Sequence, residues 1–427
     1  MNPIWHTIRG SLCRGIRLAL ALILLLTLVR SDAIPPPEYF DYRLGMVIVG
    51  YEFNLALWEL RGLADKAKQM LAREACTLSS LEQEAQVRAF FSRAQRIQDL
   101  EGELQRVYTT TSRPEAAKKA QPSQAELDAL RQQQATEQAM VEAILEHQVG
   151  EELAEEGFTV GPIVWPPTAF RLTDPPTFLI VSPRQEIARQ AEAQLLPRLS
   201  LPERERLEST IDSTFDVSSL VDDLGGLSAF PTIVLLSPSI LFTVNTIAHE
   251  WTHHYLFFTP LGWHYDDSAD LTTMNETVAC IMGEEVARGV MLRHYPDLAP
   301  PPPAPPGAMA SPPSNESAQF DFNRLMRQTR LEVDRLLAED QIEEAEAYME
   351  SQRRLLVEHG YHLRKLNQAY FAFHGAYATS PASVDPIGPQ MRKLRAASPS
   401  LKAFLERVSS MRSYTDLQQA LQELGEE

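Results

Sequence analysis

The amino-acid sequence predicts a mostly α (α+β) protein in which a small β-sheet lies between two helical regions. Apolar residues recur every three to four positions over 52–107 and again after about residue 125, which is the spacing of one helix face. Two apolar runs bounded by prolines, at 177–183 and 230–238, have the length and composition of buried strands. Helical periodicity returns after Phe320 and continues almost to the end of the chain.

Composition narrows the classes of function. The 427 residues carry a net charge of −18 and no basic stripe, which argues against a nucleic-acid partner. Of the three cysteines, Cys13 lies near the N-terminus. Cys76 and Cys280 can pair, but two cysteines are not a disulfide framework. We therefore expect both to be small buried hydrophobic residues.

Residues 1–33 have the pattern of a signal peptide or membrane anchor. Basic residues up to Arg17 precede an apolar run from Leu18 to Val29, and Arg30 and the small residue Ala33 follow it. The run is shorter than the roughly 20 residues of a comfortable transmembrane helix. We expect an extracytoplasmic protein, either secreted or anchored to the cytoplasmic membrane by this segment.

Region 34–156 is predicted to be a helical hairpin. It opens with an extended segment over 34–50, and helical patterns follow over 52–107 and about 125–156. A polar stretch at 109–124 breaks the pattern, so the two helices should fold back on each other.

Region 157–298 is predicted to be the catalytic α+β core. Besides the two strands it holds a charged helical pair over 184–212, and a Gly225–Gly226 turn precedes the second strand. A Pro-rich linker or loop follows over 299–318. The remainder, 319–427, is a C-terminal helical region that ends in two short helices within 390–425.

The helix that runs off the second strand, "NTIAHEWTHHYLFF" (245–258), is apolar yet carries ionisable side chains in its middle. His249 and His253 are one turn apart, so both imidazoles can bind one tetrahedral cation. Glu250 is rotated off that axis and can reach a water on the metal. This H-E-x-x-H arrangement predicts zinc with Glu250 as the general base, whereas His254 has no assigned task.

A catalytic zinc site needs a third protein ligand. The spacing of the extended H-E-x-x-H motif would require a histidine at 259, but Thr259 is there, and no common geometry requires His264. The helix "TTMNETVACIMGEEVARGV" carries Glu276 on a face of otherwise small residues, which lets it approach another helix closely. Glu276 is therefore the predicted third ligand.

"HEWTH" followed by "NETVA" resembles the gluzincin zinc metallopeptidases, which include thermolysin and the membrane alanyl aminopeptidases. The resemblance implies a zincin-like core, His249, His253 and Glu276 as Zn²⁺ ligands, Glu250 as base, and a peptide or protein substrate. The chain departs from the family where Cys280 stands in place of an acidic residue. That leaves the hydrogen-bond partner of the histidines open among Asn275, Glu284 and Asp270.

The layout of the whole chain is more weakly similar to a family of bacterial proteins predicted to be aminopeptidases. The similarity rests on the order of the motifs and on "KLNQAYFAFHGAY" and "SPSLKAF". We therefore expect an aminopeptidase-like zinc peptidase, in which Glu284 and Glu285 are conceivable ligands for a substrate N-terminus. The strand at 231–237 is a conceivable place for an extended peptide to add.

Two questions stay open at this stage. The donor to a developing oxyanion can be Tyr370, His374 or Tyr377, although an aromatic core stripe explains the same residues. The alternative function is a helical scaffold or adaptor with a structural or degenerate metal site, for which Glu250 would have no use. Zinc-dependent hydrolysis of a non-peptide amide is a third possibility.

Overall fold

A computed structural model describes residues 39–72, 78–110, 113–301, 320–377 and 383–426. The chain divides at Gly50 into two units, and the first contributes one described helix, α1 (Phe40–Ile48). The predicted signal segment, Cys76 and all but the start of the predicted Pro-rich linker lie outside the described residues. Within the described ranges, no helix has both the length and the apolar character needed to cross a membrane.

The second unit, from Tyr51 onward, is mostly helical with three small sheets, which confirms the predicted mostly α (α+β) class. Its elements in chain order are α2 (Leu55–Ala72), α3 (Ser80–Thr110), α4 (Arg113–Glu155), β1 (Thr159–Val160), β2 (Ile163–Val164), β3 (Phe170–Leu172), β4 (Thr177–Pro183), β5 (Ala191–Leu195), α5 (Leu201–Phe215), β6 (Val217–Asp223), β7 (Gly226–Leu227), β8 (Thr232–Val234), α6 (Ile240–Leu256), α7 (Pro260–Trp263), α8 (Ala269–His294), α9 (Phe322–Ala338), α10 (Ile342–Glu358), α11 (Gln368–His374), α12 (Ile387–Ala397), α13 (Leu401–Ser409) and α14 (Tyr414–Glu426). A short 3₁₀ helix, Pro296–Leu298, follows α8.

The strands form two three-stranded sheets and one two-stranded hairpin. In the first sheet, β4 is central and pairs antiparallel with β5 and β6. In the second, β8 is central, with β3 parallel on one side and β7 antiparallel on the other. Strands β1 and β2 form the hairpin. Both predicted strands are present, the first over its full length and the second as the shorter β8.

Helices α3 and α4 lie antiparallel and are joined by ion pairs between Arg93 and Glu137 and between Arg96 and Glu126. The polar break predicted at 109–124 is wrong, since α4 begins at Arg113 and has Pro122 in its interior. The reason is tertiary packing: Ala120 is buried in a cluster with residues of α3, which outweighs the local polar composition. Ala116, four residues earlier on the same helix, is also buried.

Side chains of α4 cover the outer edge of β3. Glu146 accepts the backbone N–H of Phe170 at 2.9 Å, and Glu142 accepts that of Leu172 at 2.9 Å. Gln138 donates to the Leu172 carbonyl at 2.7 Å. The two carboxylates share the ammonium of Lys66, which lies 3.0 Å from Glu142 and 2.7 Å from Glu146. These groups supply the hydrogen bonds that a further strand would otherwise make.

Two further local predictions are wrong. Residues 34–50 are not wholly extended, because α1 begins at Phe40, with Leu44 and Ile48 buried one turn apart. The charged segment 184–212 is not a helical pair: its first half forms β5, which β4 recruits by backbone pairing, and only α5 is helical. Alternating charges imitate helical periodicity here, and the antiparallel ladder decides the outcome.

The C-terminal region packs as helices, with α12 in addition to the two predicted short helices α13 and α14. Helices α9 and α10 form a pair of their own around Val333 and Met349. Helix α11 packs on β4 and β6, whereas α12 packs on α8. The long helices α6 and α8 lie against each other in the main core, and this pair positions the candidate site.

Candidate metal centre

Helix α6 carries His249, Glu250 and His253 from the core to a cleft. It begins at Ser239, whose hydroxyl accepts the backbone N–H of Phe242, and it follows β8 after a short turn. Its buried face includes Trp251, whose indole N–H donates to the Pro166 carbonyl at 2.7 Å. The helix is therefore fixed on one side, and the two histidines point to the other.

Helix α8 brings Glu276 opposite the histidines. Close approach of the two helices depends on Gly283, because a Cβ there would lie 3.0 Å from the Asn245 carbonyl oxygen and 3.3 Å from the Cβ of His249. Glu276 is only 5% exposed. The predicted small-residue face of this helix thus meets α6 as expected.

Three ligand atoms from these helices converge. His249 Nε2 and His253 Nε2 are 3.2 Å apart, and Glu276 Oε2 lies 3.5 and 3.7 Å from them. A tetrahedral zinc ion with ligands at about 2.0–2.1 Å places two ligand atoms about 3.3–3.4 Å apart. Glu276 Oε2 is buried and makes no hydrogen bond with any described residue. The three residues therefore fit a zinc ion, and all three line the cleft.

Hydrogen bonds around the triad orient its side chains. His253 Nδ1 is 2.9 Å from Asn275 Oδ1, and the Asn275 amide donates to the Leu261 carbonyl at 3.3 Å. This arrangement makes Nδ1 the donor and leaves the lone pair of Nε2 for a metal. The Tyr265 hydroxyl donates to Glu276 Oε1 at 2.6 Å, and the Cys280 side chain hydrogen-bonds His249.

Of the three candidate partners of the histidines, Asn275 is therefore the one in contact. Glu284 instead pairs with Arg392 at 3.0 and 3.1 Å, and Glu285 pairs with Arg395 at 2.7 Å. Neither glutamate lines the cleft. These ion pairs also remove both residues from the candidates for a substrate N-terminus.

The charge states follow from burial and proximity. Burial raises the pKa of Glu250, His249 opposes the rise and Glu276 adds to it, and the net value is about 7. Burial would also raise the pKa of Glu276, but His253, His249 and the Tyr265 hydroxyl outweigh it and lower the value to about 2. Glu276 is thus a carboxylate at neutral pH, whereas Glu250 can gain or lose a proton there.

The cleft has a volume of about 310 Å³ and contains the triad and Glu250. Strand β7 forms one wall: a Cβ on Gly226 would lie only 2.7 Å from Glu250 Oε1. The prediction that an extended peptide adds to the strand at 231–237 is wrong, because β8 is central in its sheet and both its edges are paired. The edge strand beside the site is β7.

Of the three candidate oxyanion donors, only Tyr377 lines the cleft, with its ring 6.5 Å from that of His249. Burial raises the pKa of Tyr377 well above its usual value, so its hydroxyl keeps its proton. His374 is paired with Asp222 at 2.9 Å, and the ring of Tyr370 lies 4.3 Å from that of His374 at an angle of 40°.

The other histidines near the motif do not join the triad. His264 pairs with Asp267 at 2.6 Å on the surface. His254 faces Phe230 with its ring centroid 5.8 Å away, and its Nε2 makes no hydrogen bond among the described residues. Burial lowers the pKa of His254 to about 4, so it is neutral.

Three residues of the cleft have no signal in the sequence motif. Tyr265 and Arg189 reach the cleft from loops, and Gly226 reaches it from a two-residue strand. Only the position of Tyr265, in the loop between the two helices that carry the triad, was a hint. Comparisons of this chain with models of protein families, with curated proteins and with solved structures found no match.

Proposed function

We propose that this protein is a zinc-dependent peptidase with a zincin-like core, in which His249, His253 and Glu276 hold Zn²⁺ and Glu250 is the general base. The observation that carries the proposal is the triangle of ligand atoms, with edges of 3.2, 3.5 and 3.7 Å. Those edges approach the spacing that tetrahedral zinc requires without movement of the helices.

When bound, zinc supplies Lewis-acid chemistry: it makes a water more acidic and polarises a carbonyl oxygen. Glu250 takes a proton from the attacking water as the water oxygen bonds to the carbonyl carbon. The same carboxyl group then gives a proton to the leaving nitrogen as the C–N bond breaks.

The surroundings of Glu250 favour a chemical over a structural role. The residue is only 8% exposed, and it lines the cleft beside the triad. Burial disfavours the charged form of its carboxyl group, so a glutamate at this place costs stability and needs another reason. Tyr377 is the donor we assign to the oxyanion that develops on the carbonyl.

The substrate in this proposal is a peptide or protein. The assignment of the enzyme as aminopeptidase-like rests only on the order of the motifs along the chain. We propose an extracytoplasmic location, secreted or membrane-anchored, on the basis of the 1–33 pattern. The alternative remains a helical scaffold or adaptor in which the metal site is structural or degenerate.

The test compares metal content and hydrolysis in the full chain. The parent should contain one zinc per chain and cleave members of a fluorogenic peptide library. His253→Ala should lose the zinc, and its neighbour variant His254→Ala should keep it. Glu250→Gln should keep zinc and lose cleavage. A Glu250→Gln chain that cleaves as fast as the parent would refute the proposed mechanism, and a parent that holds zinc but cleaves no peptide would favour the structural site.

A further inference from the structure

Arg189 lies where two cavities meet. It follows β4 in the loop before β5 and lines both the metal cleft and a larger adjoining cavity of about 560 Å³. Its side chain is 21% exposed, and its guanidinium lies 5.8 Å from the centre of the Phe373 ring. The nitrogen Nε donates to the Ala372 carbonyl at 3.2 Å. The stem and Nε are thus held by α11, while the residue lines both cavities.

Those terminal nitrogens are poorly satisfied. Glu192 Oε2 lies 3.7 Å from Nη1, which is too long for a hydrogen bond. Neither Nη1 nor Nη2 makes a hydrogen bond within the ranges that the structure describes. Arg330, on the wall of the larger cavity, differs in that it forms a close ion pair with Asp334, through Nε at 2.9 Å, and does not line the metal cleft.

A mostly buried guanidinium with four unused N–H donors favours a planar anion. Carboxylates match its geometry through two parallel charge-assisted hydrogen bonds, which a neutral carbonyl cannot provide. The side chain stays cationic: burial acts to lower its pKa, but acidic neighbours including Glu276 and Glu192 give a net rise. Glu192 competes weakly, since burial raises its own pKa and disfavours its charge.

We propose that Arg189 binds a carboxylate group of the substrate, either the C-terminal carboxylate or an aspartate or glutamate side chain, near the bond that is cut. This inference rests on the proposed peptidase function, because it concerns the substrate of that peptidase. Because Arg189 and the metal triad line one cleft of about 310 Å³, the carboxylate lies at most a few residues from the scissile bond.

Binding is measured by calorimetry on full-length Glu250→Gln, so that no ligand is cleaved. The probes are acetyl-trialanine, its C-terminal amide, and the amide carrying one glutamate. At least one carboxylate probe should bind about tenfold or more tightly than the plain amide. Whichever probe is preferred identifies the source of the carboxylate.

In the Glu250→Gln chain, a further Arg189→Gln substitution should reduce the difference in affinity between the carboxylate and amide probes to about twofold or less. Arg189→Lys, which keeps a point charge without the planar fork, should keep part of it. Arg330→Gln is the matched control and should leave the preference intact. Thermal melts show whether each variant is folded, and Arg189→Lys covers the case in which Arg189→Gln does not fold.

Three outcomes would overturn the inference. The first is an equal affinity for carboxylate and amide probes, and the second is no measurable binding of any carboxylate probe. The third is a preference for the carboxylate that survives Arg189→Gln, which is the result expected if the carboxylate binds zinc instead. Failure of the peptidase proposal is a separate result. In that case zinc or hydrolysis is missing while the Arg189-dependent preference persists.

Discussion

Substitution of Gly226 by alanine would crowd Glu250 without touching the three proposed zinc ligands. The new Cβ would lie 2.6 Å from Thr246 Cγ2, 2.7 Å from Glu250 Oε1 and 3.1 Å from Glu250 Cγ. Real Cβ atoms essentially never approach other heavy atoms within 3.0 Å, and ordinary contact begins at 3.4 Å. Something must therefore shift, and if the Glu250 carboxylate yields, it moves by about 0.7 Å to reach an ordinary contact.

The expected effect on rate follows from that displacement. A misplacement of about 1 Å in a catalytic group can cost about 10²-fold, so we expect kcat to fall by about 10- to 100-fold. The zinc content should stay at the parent value, since no atom of the triad is among the clashing contacts. Overpacking of this wall should lower the free energy of unfolding by about 1–3 kcal/mol.

The assay measures kcat on a library peptide that the parent cleaves, together with zinc per chain. Gly225→Ala is the matched control, because its Cβ would meet only the ring of Phe242, at 3.1 Å, and that side chain is 37% exposed and free to yield. Its kcat should stay within a few-fold of the parent. If Gly226→Ala keeps full kcat and full zinc, Glu250 is not the base in the position described here.

Four further predictions follow from contacts around the site and the core. Asn275→Ala should weaken zinc binding by about 10- to 100-fold in a chelator competition, and Tyr265→Phe should weaken it less, because only one outer hydrogen bond to Glu276 is lost. An unchanged zinc affinity in Asn275→Ala would contradict its orienting role. Removing zinc with a chelator should lower the melting temperature, since a ligand at a hundred times its Kd stabilises by about 2.7 kcal/mol; equal melting curves would argue against a native site. Lys66→Met should cost about 3–5 kcal/mol in denaturant unfolding, because it leaves the buried Glu142 and the half-buried Glu146 without their shared cation, and a cost under about 1 kcal/mol would refute this. Burial, despite Lys66, raises the pKa of Glu146 above 4.5, so its stabilising effect is complete below pH 4.5 and declines as pH rises through the folded value. Glu146→Gln should accordingly gain stability relative to the parent between pH 4 and pH 7, and a relative loss over that range would reverse the sign of the argument.

The central helices could be predicted because their chemistry and their periodicity agree. His249 and His253 one turn apart, and Glu276 on a small-residue face, are local patterns, and the structure brings all three together. The close approach of the two helices at Gly283 can likewise be predicted from the small size of that residue. A site formed by two regular helices depends on few contacts that are distant in sequence.

The parts that could not be predicted depend on distant contacts. Strand β5 has a charged, helix-like sequence and becomes extended because β4 pairs with it over five residue pairs. The start of α4 is polar, and Ala120 becomes buried only where α3 covers it. Arg189 is one of many arginines in the sequence, and its incomplete hydrogen bonding is visible only once the loop has folded. The local sequence does not show which distant residues will become the partners of such a segment.

The covered edge of β3 bears on self-association. An exposed strand edge invites another copy of the same chain to pair with it, which is a route to aggregation. Glu142, Glu146 and Gln138 already occupy the donors and acceptors on that side of β3. In this sheet, an incoming polypeptide is therefore left only the two-residue edge of β7, which is too short to template a fibril.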